Sequence, residues 1–177
     1  MDILIRQELP SDYHSTEEMV KEAFLNEEYS DKKEHYLVKR LRSSEAFIPE
    51  LSLVAAAPAK EIAGHILLSK IKILDGEREA DSLALAPVSV APGFQGKGIG
   101  SQLIRTALNT AKEAGYHSVI VLGHKDFYPK FGFKPASLWN IKAPFEVPDE
   151  AFMALELTDN ALKNSAGTVR YSKAFSE

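Results

Sequence analysis

Residues 83–122 constrain the fold more than any other stretch of this sequence. Leu83 to Val90 is apolar and strand-like, and a run containing Gly96, Gly98 and Gly100 follows it. Ile99, Leu103, Ile104, Ala107, Leu108 and Ala111 then recur as one face of a helix that ends at Gly115. Val119 to Leu122 is a short, fully apolar strand. A strand, a glycine loop, a helix and a second strand in this order form a crossover unit, which joins parallel neighbours of one sheet. The two strands are therefore expected side by side, with the helix packed across them.

The rest of the chain reads as additions to that sheet. Ile3 and Ile5 alternate as a short strand, Pro10, Ser11 and Asp12 break it, and Met19, Val20, Ala23 and Phe24 share one helical face. A second helix is expected from a cap at Ser30 or Asp31, with Glu34 three residues after Asp31, and Leu37, Val38 and Leu41 as its apolar stripe up to Ser43. Leu51 to Ala57, Ile62 to Leu74 and Leu83 to Val90 are separated by Pro58 to Glu61 and by a turn at Asp75 and Gly76, as in an antiparallel meander. Phe152 to Leu157 and Thr168 to Phe175 supply two further strands. The fold class is α/β (α+β): a mixed, mostly antiparallel sheet of about six or seven strands flanked by helices. With no repeat, low-complexity tract or long linker, residues 1–177 are expected to form a single domain.

Composition removes several classes of function. The 177 residues include no cysteine, so disulfides, thiolate zinc sites and cysteine nucleophiles are ruled out. The five histidines show no H-x-x-x-H or H-E-x-x-H pairing, and no metal is expected. A net charge of −4 and a pI near 5.8 oppose binding to a nucleic-acid backbone. The start, MDILIRQELP, lacks the pattern of a signal peptide, and the longest apolar run falls far short of the ~20 residues that span a bilayer. No membrane association and a cytoplasmic location are the expectations. The sequence leaves monomer and homodimer both open.

The loop Gln95, Gly96, Lys97, Gly98, Ile99, Gly100, Ser101 carries the chemistry. Glycines permit positive φ and close approach of the backbone, and the free N–H groups of a first helical turn suit a phosphate. The same residues also suit a tight turn before a helix. A phosphate loop of the form G-x-x-x-x-G-K-[ST] is not present, because Lys97 is followed by Gly98. A dinucleotide loop needs G-x-G-x-x-G and an acidic residue after the next strand, whereas this loop is G-x-G-x-G and the next strand ends in Leu122, Gly123, His124.

Gln95, Gly98 and Gly100 form Q-x-x-G-x-G, and Phe127 to Phe133 (FYPKFGF) places a tyrosine five residues before the phenylalanine of a G-F pair. Together the two blocks resemble the Gcn5-related N-acetyltransferases. The opening IRQELPSDY, with Pro135 to Ser137, Pro144 to Pro148 and Asp149 to Met153, is similar to a bacterial subgroup often called YhbS-like, so the resemblance covers nearly the whole chain. It departs from the common pattern where Gly123, His124, Lys125 and Asp126 replace an Asn-x-x-Ala turn.

The resemblance implies acetyl-CoA as co-substrate, with its pyrophosphate on the N–H groups of Gln95, Gly96, Lys97, Gly98, Ile99, Gly100 and Ser101. Its pantetheine would lie beside a splayed edge at Val88, Ser89 and Val90. Lys97 and Arg105 then become partners of the CoA phosphates, or remain solvated charges. The acceptor is a small-molecule or peptidyl amine that attacks directly in a ternary complex. Tyr128 is the candidate general acid for the leaving thiolate, and Glu22, Glu27, Glu28 and His124 are candidate bases. A base or an ordered water is required because an amine of pKa ~10.4 costs roughly 4.6 kcal/mol to deprotonate at neutral pH. Trp139 to Pro148 suits a lid over the acceptor or a loop that covers the core, and acidic and aromatic groups there would favour a cationic amine. The alternative is a non-catalytic acyl-CoA sensor, which keeps the loop without the transfer chemistry.

Overall fold

A computed structural model describes residues 2–28 and 30–176. Among the described residues one sheet contains nine strands: β1 (Leu4–Gln7), β2 (Ser52–Ala56), β3 (Ile62–Asp75), β4 (Arg78–Val90), β5 (Ser118–Leu122), β6 (Lys134–Pro135), β7 (Ile141–Lys142), β8 (Phe152–Glu156) and β9 (Gly167–Arg170). The main path runs β1-β2-β3-β4-β5-β8-β6, with β9 pairing both β3 and β7. The pairs β4–β5 and β7–β9 are parallel, and all others are antiparallel. The expected count of six or seven strands omitted β6 and β7, which at two residues each are too short to carry alternation.

Helix α3 (Ile99–Glu113) makes the crossover and covers one face of the sheet. Its Leu103, Ile104, Ala107 and Ala111 pack with Ile66, Leu68, Leu83, Leu85, Val119 and Val121 in the largest apolar cluster. The opposite face takes α1 (Tyr13–Phe24) through Met19 and Val20 against Val54 and Ile62, and α2 (Glu34–Arg42) through Leu41 against Leu67. This two-sided burial explains why β2 has no exposed residue.

Two local expectations are corrected. The residue that caps α2 is Lys33, not Ser30 or Asp31. Ser30 and Asp31 instead accept the N–H groups of Lys32 and Lys33, so their side chains hold the turn before the helix. The last strand stops at Arg170 rather than continuing to Phe175. Ser172 caps a turn over Lys173–Phe175 by accepting the N–H of Ala174, which takes the backbone away from the sheet.

Candidate active site

The sheet opens at the end of the crossover unit. β4 and β5 pair only at Leu83–Val119 and Ala84–Ile120. Beyond those pairs β4 bulges: it uses Leu85, Ala86, Pro87 and Val88 while β3 advances only from Leu68 to Ile66. Pro87 has no N–H to give a ladder. After the bulge, Val88, Ser89 and Val90 still pair with β3, and their other edge has no strand beside it among the described residues. The strands therefore diverge into a mouth with unpaired backbone groups on one side.

Helix α3 starts at that mouth. Gly98 is its N-cap at φ 80°, and Gly96 has φ 78°, values an L side chain adopts only under strain. A Cβ at either position would meet nothing within 4 Å, so the backbone angle demands glycine and the space ahead stays open. No side chain caps the helix, which leaves the first-turn N–H groups of Ile99, Gly100 and Ser101 facing outward without an intrahelical acceptor. Gln95 is committed locally, its amide donating to the Val90 carbonyl at 3.1 Å. Lys97 is exposed, and the Arg105 guanidinium lies 4.8 Å from the centre of the Phe131 ring. Together these features suit a phosphate at the helix start and amides along Val88 to Val90.

Tyr128 closes the other side. Its ring is 8% exposed, edge-on to Phe127 and Phe133 at 5.1 and 5.8 Å. It lies against Gly123, just past the end of β5, where a Cβ would overlap it. Gly123 is thus required by close approach, and the short connection that departs from the family pattern has this as its local role. The Tyr128 hydroxyl bonds to no other described residue and is not sealed from solvent. Burial pushes its pKa up to about 12, so it is a proton-bearing donor at neutral pH.

The candidate bases are not brought together. Glu22, Glu27 and Glu28 are exposed at the end of α1 or just after it, and no hydrogen bond or ion pair links them to Tyr128 or His124 among the described residues. His124 is 72% exposed, and its Nδ1 accepts the N–H of Asp126 at 3.2 Å. Among the described residues no group of three or more His, Asp or Glu could hold a metal ion.

Residues 139–148 do border a cavity, of about 730 Å³, lined by Asn140, Lys142, Phe145, Glu146, Asp149 and Phe152. Phe152 pairs with Leu122, and the Gly123 N–H bonds to the Ala151 carbonyl, so the cavity adjoins the end of β5 beside the mouth. Sequence reasoning missed Pro87, Gly123 and Phe152 as parts of the site. Only Pro87 left a signal, since proline inside an otherwise central strand marks a bulge.

The sequence model of the acetyltransferase (GNAT) family matches residues 12–133. The chain belongs to that family. Among relatives of this GNAT chain, an uncharacterized N-acetyltransferase of Escherichia coli K12, YjhQ, is 39% identical over 120 residues, 67% of this chain and 65% of that protein. YhbS of Escherichia coli K12, also an uncharacterized N-acetyltransferase, is 29% identical over 98% of each chain. The crystal structure of Escherichia coli YhbS in complex with CoA superposes with a TM-score of 0.88 at 26% identity, covering 99% of this chain and 92% of that one. A GNAT acetyltransferase from Brucella melitensis in complex with acetyl-CoA gives a TM-score of 0.80 at 33% identity, covering 98% of each chain. Family membership makes this GNAT chain an acyltransferase, and its sheet and flanking helices are those of the family.

Proposed function

We propose that the protein transfers an acetyl group from acetyl-CoA to a cationic primary amine, in a ternary complex. The observation that carries this reading is the open mouth: uncapped N–H groups at the start of α3 facing an unpaired edge at Val88, Ser89 and Val90. CoA-bound and acetyl-CoA-bound relatives with the same fold support it. In this reading the N–H groups from Gly96 to Ser101 take the pyrophosphate, and the strand edge takes the pantetheine amides.

Acetyl-CoA supplies the activated acyl group: a C–N bond forms, the C–S bond breaks, and the amine loses a proton. Tyr128 donates a hydrogen bond to the departing sulfur. Complete proton transfer from a phenol near 12 to a thiolate of ordinary pKa ~8.5 is uphill by roughly 5 kcal/mol, so stabilising the thiolate is the favourable role. The amine enters from the cavity under residues 139–148, where Glu146 and Asp149 outweigh the charge of Lys142 and Phe145 and Phe152 add apolar wall. Its proton leaves to water, since Glu22, Glu27, Glu28 and His124 are all exposed and none is hydrogen-bonded to Tyr128 through its side chain among the described residues.

The test is a thermal-shift titration with acetyl-CoA, followed by CoA release in the presence of polyamines, amino acids, peptide N-termini and neutral amines. Stabilisation by acetyl-CoA should reach about 2.7 kcal/mol at one hundred times Kd and vanish in Gly98→Glu. No shift at millimolar acetyl-CoA defeats the proposal. Binding without CoA release for any amine leaves the sensor reading in its place.

A further inference from the structure

The strands that diverge at the mouth also line a cavity at their other end. This second space, of about 920 Å³, lies where β5 begins, about 13 Å of strand away from its mouth end at ~3.3 Å per residue. Its volume falls within the range of small-molecule sites. None of the residues that line it belongs to the glycine loop, to Val88–Val90 or to the cavity beneath residues 139–148.

Its lining is polar at the floor and cationic at the rim. Ser82 and Ser118 are 6% and 2% exposed, with their hydroxyls 2.7 Å apart. One hydroxyl donates to the other, so the second O–H of this buried pair is left without a side-chain acceptor. At the rim, Lys70, Lys72, Arg170 and Lys173 outnumber Glu45 and Asp81; Lys72 is paired with Asp81, and Arg170 lies 3.8 Å from Glu79 outside the lining, which leaves Lys70 and Lys173 as the uncommitted cations. Among the described residues Lys70 and Lys173 have no carboxylate within 4.0 Å. On a chain of net charge −4, this is a cationic recess. Tyr116 and Tyr171 add aromatic wall, and the Tyr171 ring is held between Phe145 and Phe175 at centroid distances of 6.2 and 5.0 Å.

We propose that this cavity is a second ligand site, for an organic oxyanion that carries a flat ring: a phosphate monoester or a carboxylate. The rim cations attract the anion, the free serine hydroxyl donates to one of its oxygens, and the tyrosine walls take the ring.

Isothermal titration of the CoA-saturated protein tests this, with AMP, benzoate, adenosine and inorganic phosphate as probes. AMP or benzoate should bind, and whichever binds more tightly distinguishes phosphate from carboxylate. Adenosine and inorganic phosphate should each be at least ~10-fold weaker than the better of the two. The double variant Lys70→Glu/Lys173→Glu should lose the binding while keeping its melting temperature and its affinity for CoA. Ser82→Ala should weaken binding by roughly tenfold. Repeating the titration in Gly98→Glu without CoA separates this site from the acyl-transfer reading, since binding should persist there whether or not CoA binds the parent protein. No heat from AMP and benzoate at millimolar concentration, adenosine binding as tightly as AMP, or binding that survives the charge reversal would each overturn the proposal.

Discussion

Two polar regions of this protein are built on opposite rules. Under α1 and α2, Glu8 is 4% exposed and fully engaged: its carboxylate takes Arg42 Nη2 at 2.7 Å and the Ser52 hydroxyl at 2.8 Å. Ser52 in turn meets His65 Nε2 at 3.1 Å, and Arg42 Nη1 reaches Glu17. At the mouth the start of α3 has no side-chain cap, and among the described residues one edge of Val88 to Val90 has no strand. The buried cluster spends its donors inside the fold, whereas the mouth leaves its donors for a ligand. Apart from the His65 Nδ1 and the Thr16 hydroxyl, which are buried without a hydrogen-bond partner among the described residues, the polar groups of the cluster are sealed and paired and hold the layers in place. The open, unpaired groups of the mouth are those the proposed function assigns to a ligand.

The electrostatics of the buried cluster follow from its burial. Loss of water pushes His65 down to about 4; the Glu8 charge opposes this and the Arg42 charge adds to it. The ring is therefore neutral at neutral pH. Burial alone would raise Glu8, but the hydrogen bonds from Arg42, the nearby Thr16 hydroxyl and the Arg42 charge bring it below the ordinary carboxylate value. With His65 neutral, Arg42 is the cation that keeps Glu8 ionised.

The largest expected effect comes from breaking the paired region. Arg42→Met leaves a buried carboxylate without its cation and should cost about 3–5 kcal/mol in urea unfolding, with the Kd for CoA unchanged in whatever fraction stays folded. Equal losses of stability and of CoA affinity would erase the distinction between the regions. Acid should have the next largest effect. Between pH 6.5 and about 4 the unfolded chain binds a proton at this histidine and the folded chain does not, so stability falls as pH falls, by about 3 kcal/mol across the window. The loss of Glu8 ionisation adds to this only at the acid end, as pH drops through its lowered folded value. His65→Gln should flatten the slope between pH 6.5 and 4, and an unchanged slope would show that other groups set it.

At the mouth the effects are on turnover. Tyr128→Phe should lower kcat by about 10- to 100-fold with little change in acetyl-CoA affinity, and equal turnover in the two proteins would remove Tyr128 from the reaction. The smallest expected change is at the acceptor cavity. Glu146→Gln with Asp149→Asn should raise KM for a cationic amine by roughly tenfold and leave a neutral amine unaffected. A rise for both amines would mean that the pair shapes the loop rather than reading charge.

The crossover was legible because its signals are contiguous: Leu83–Val90, the glycines, the α3 stripe and Val119–Leu122 are read in one pass along the chain. Tyr128 was legible from its spacing to Phe133. The buried cluster was not, because Glu8, Arg42, Ser52 and His65 come from four separate elements or loops, and no local pattern relates them. Glu27, Glu28 and His124 were chosen by their places in the chain, and all three are exposed in the fold. The Ser82–Ser118 pair, 36 positions apart, was equally invisible before the sheet was assembled.

Helix α3 presents its first turn to the mouth while Leu103, Ile104, Ala107 and Ala111 are fully buried against the sheet. The proposed anion cradle is therefore held by the core, because the helix cannot tilt without opening apolar contacts along its length. Ordering of the donors takes place when the chain folds, so a ligand arriving at the mouth loses little binding energy to configurational restriction of the protein. The geometry of the proposed phosphate site is consequently set by the hydrophobic interior, and substitutions far along α3 should weaken CoA affinity without touching the ligand.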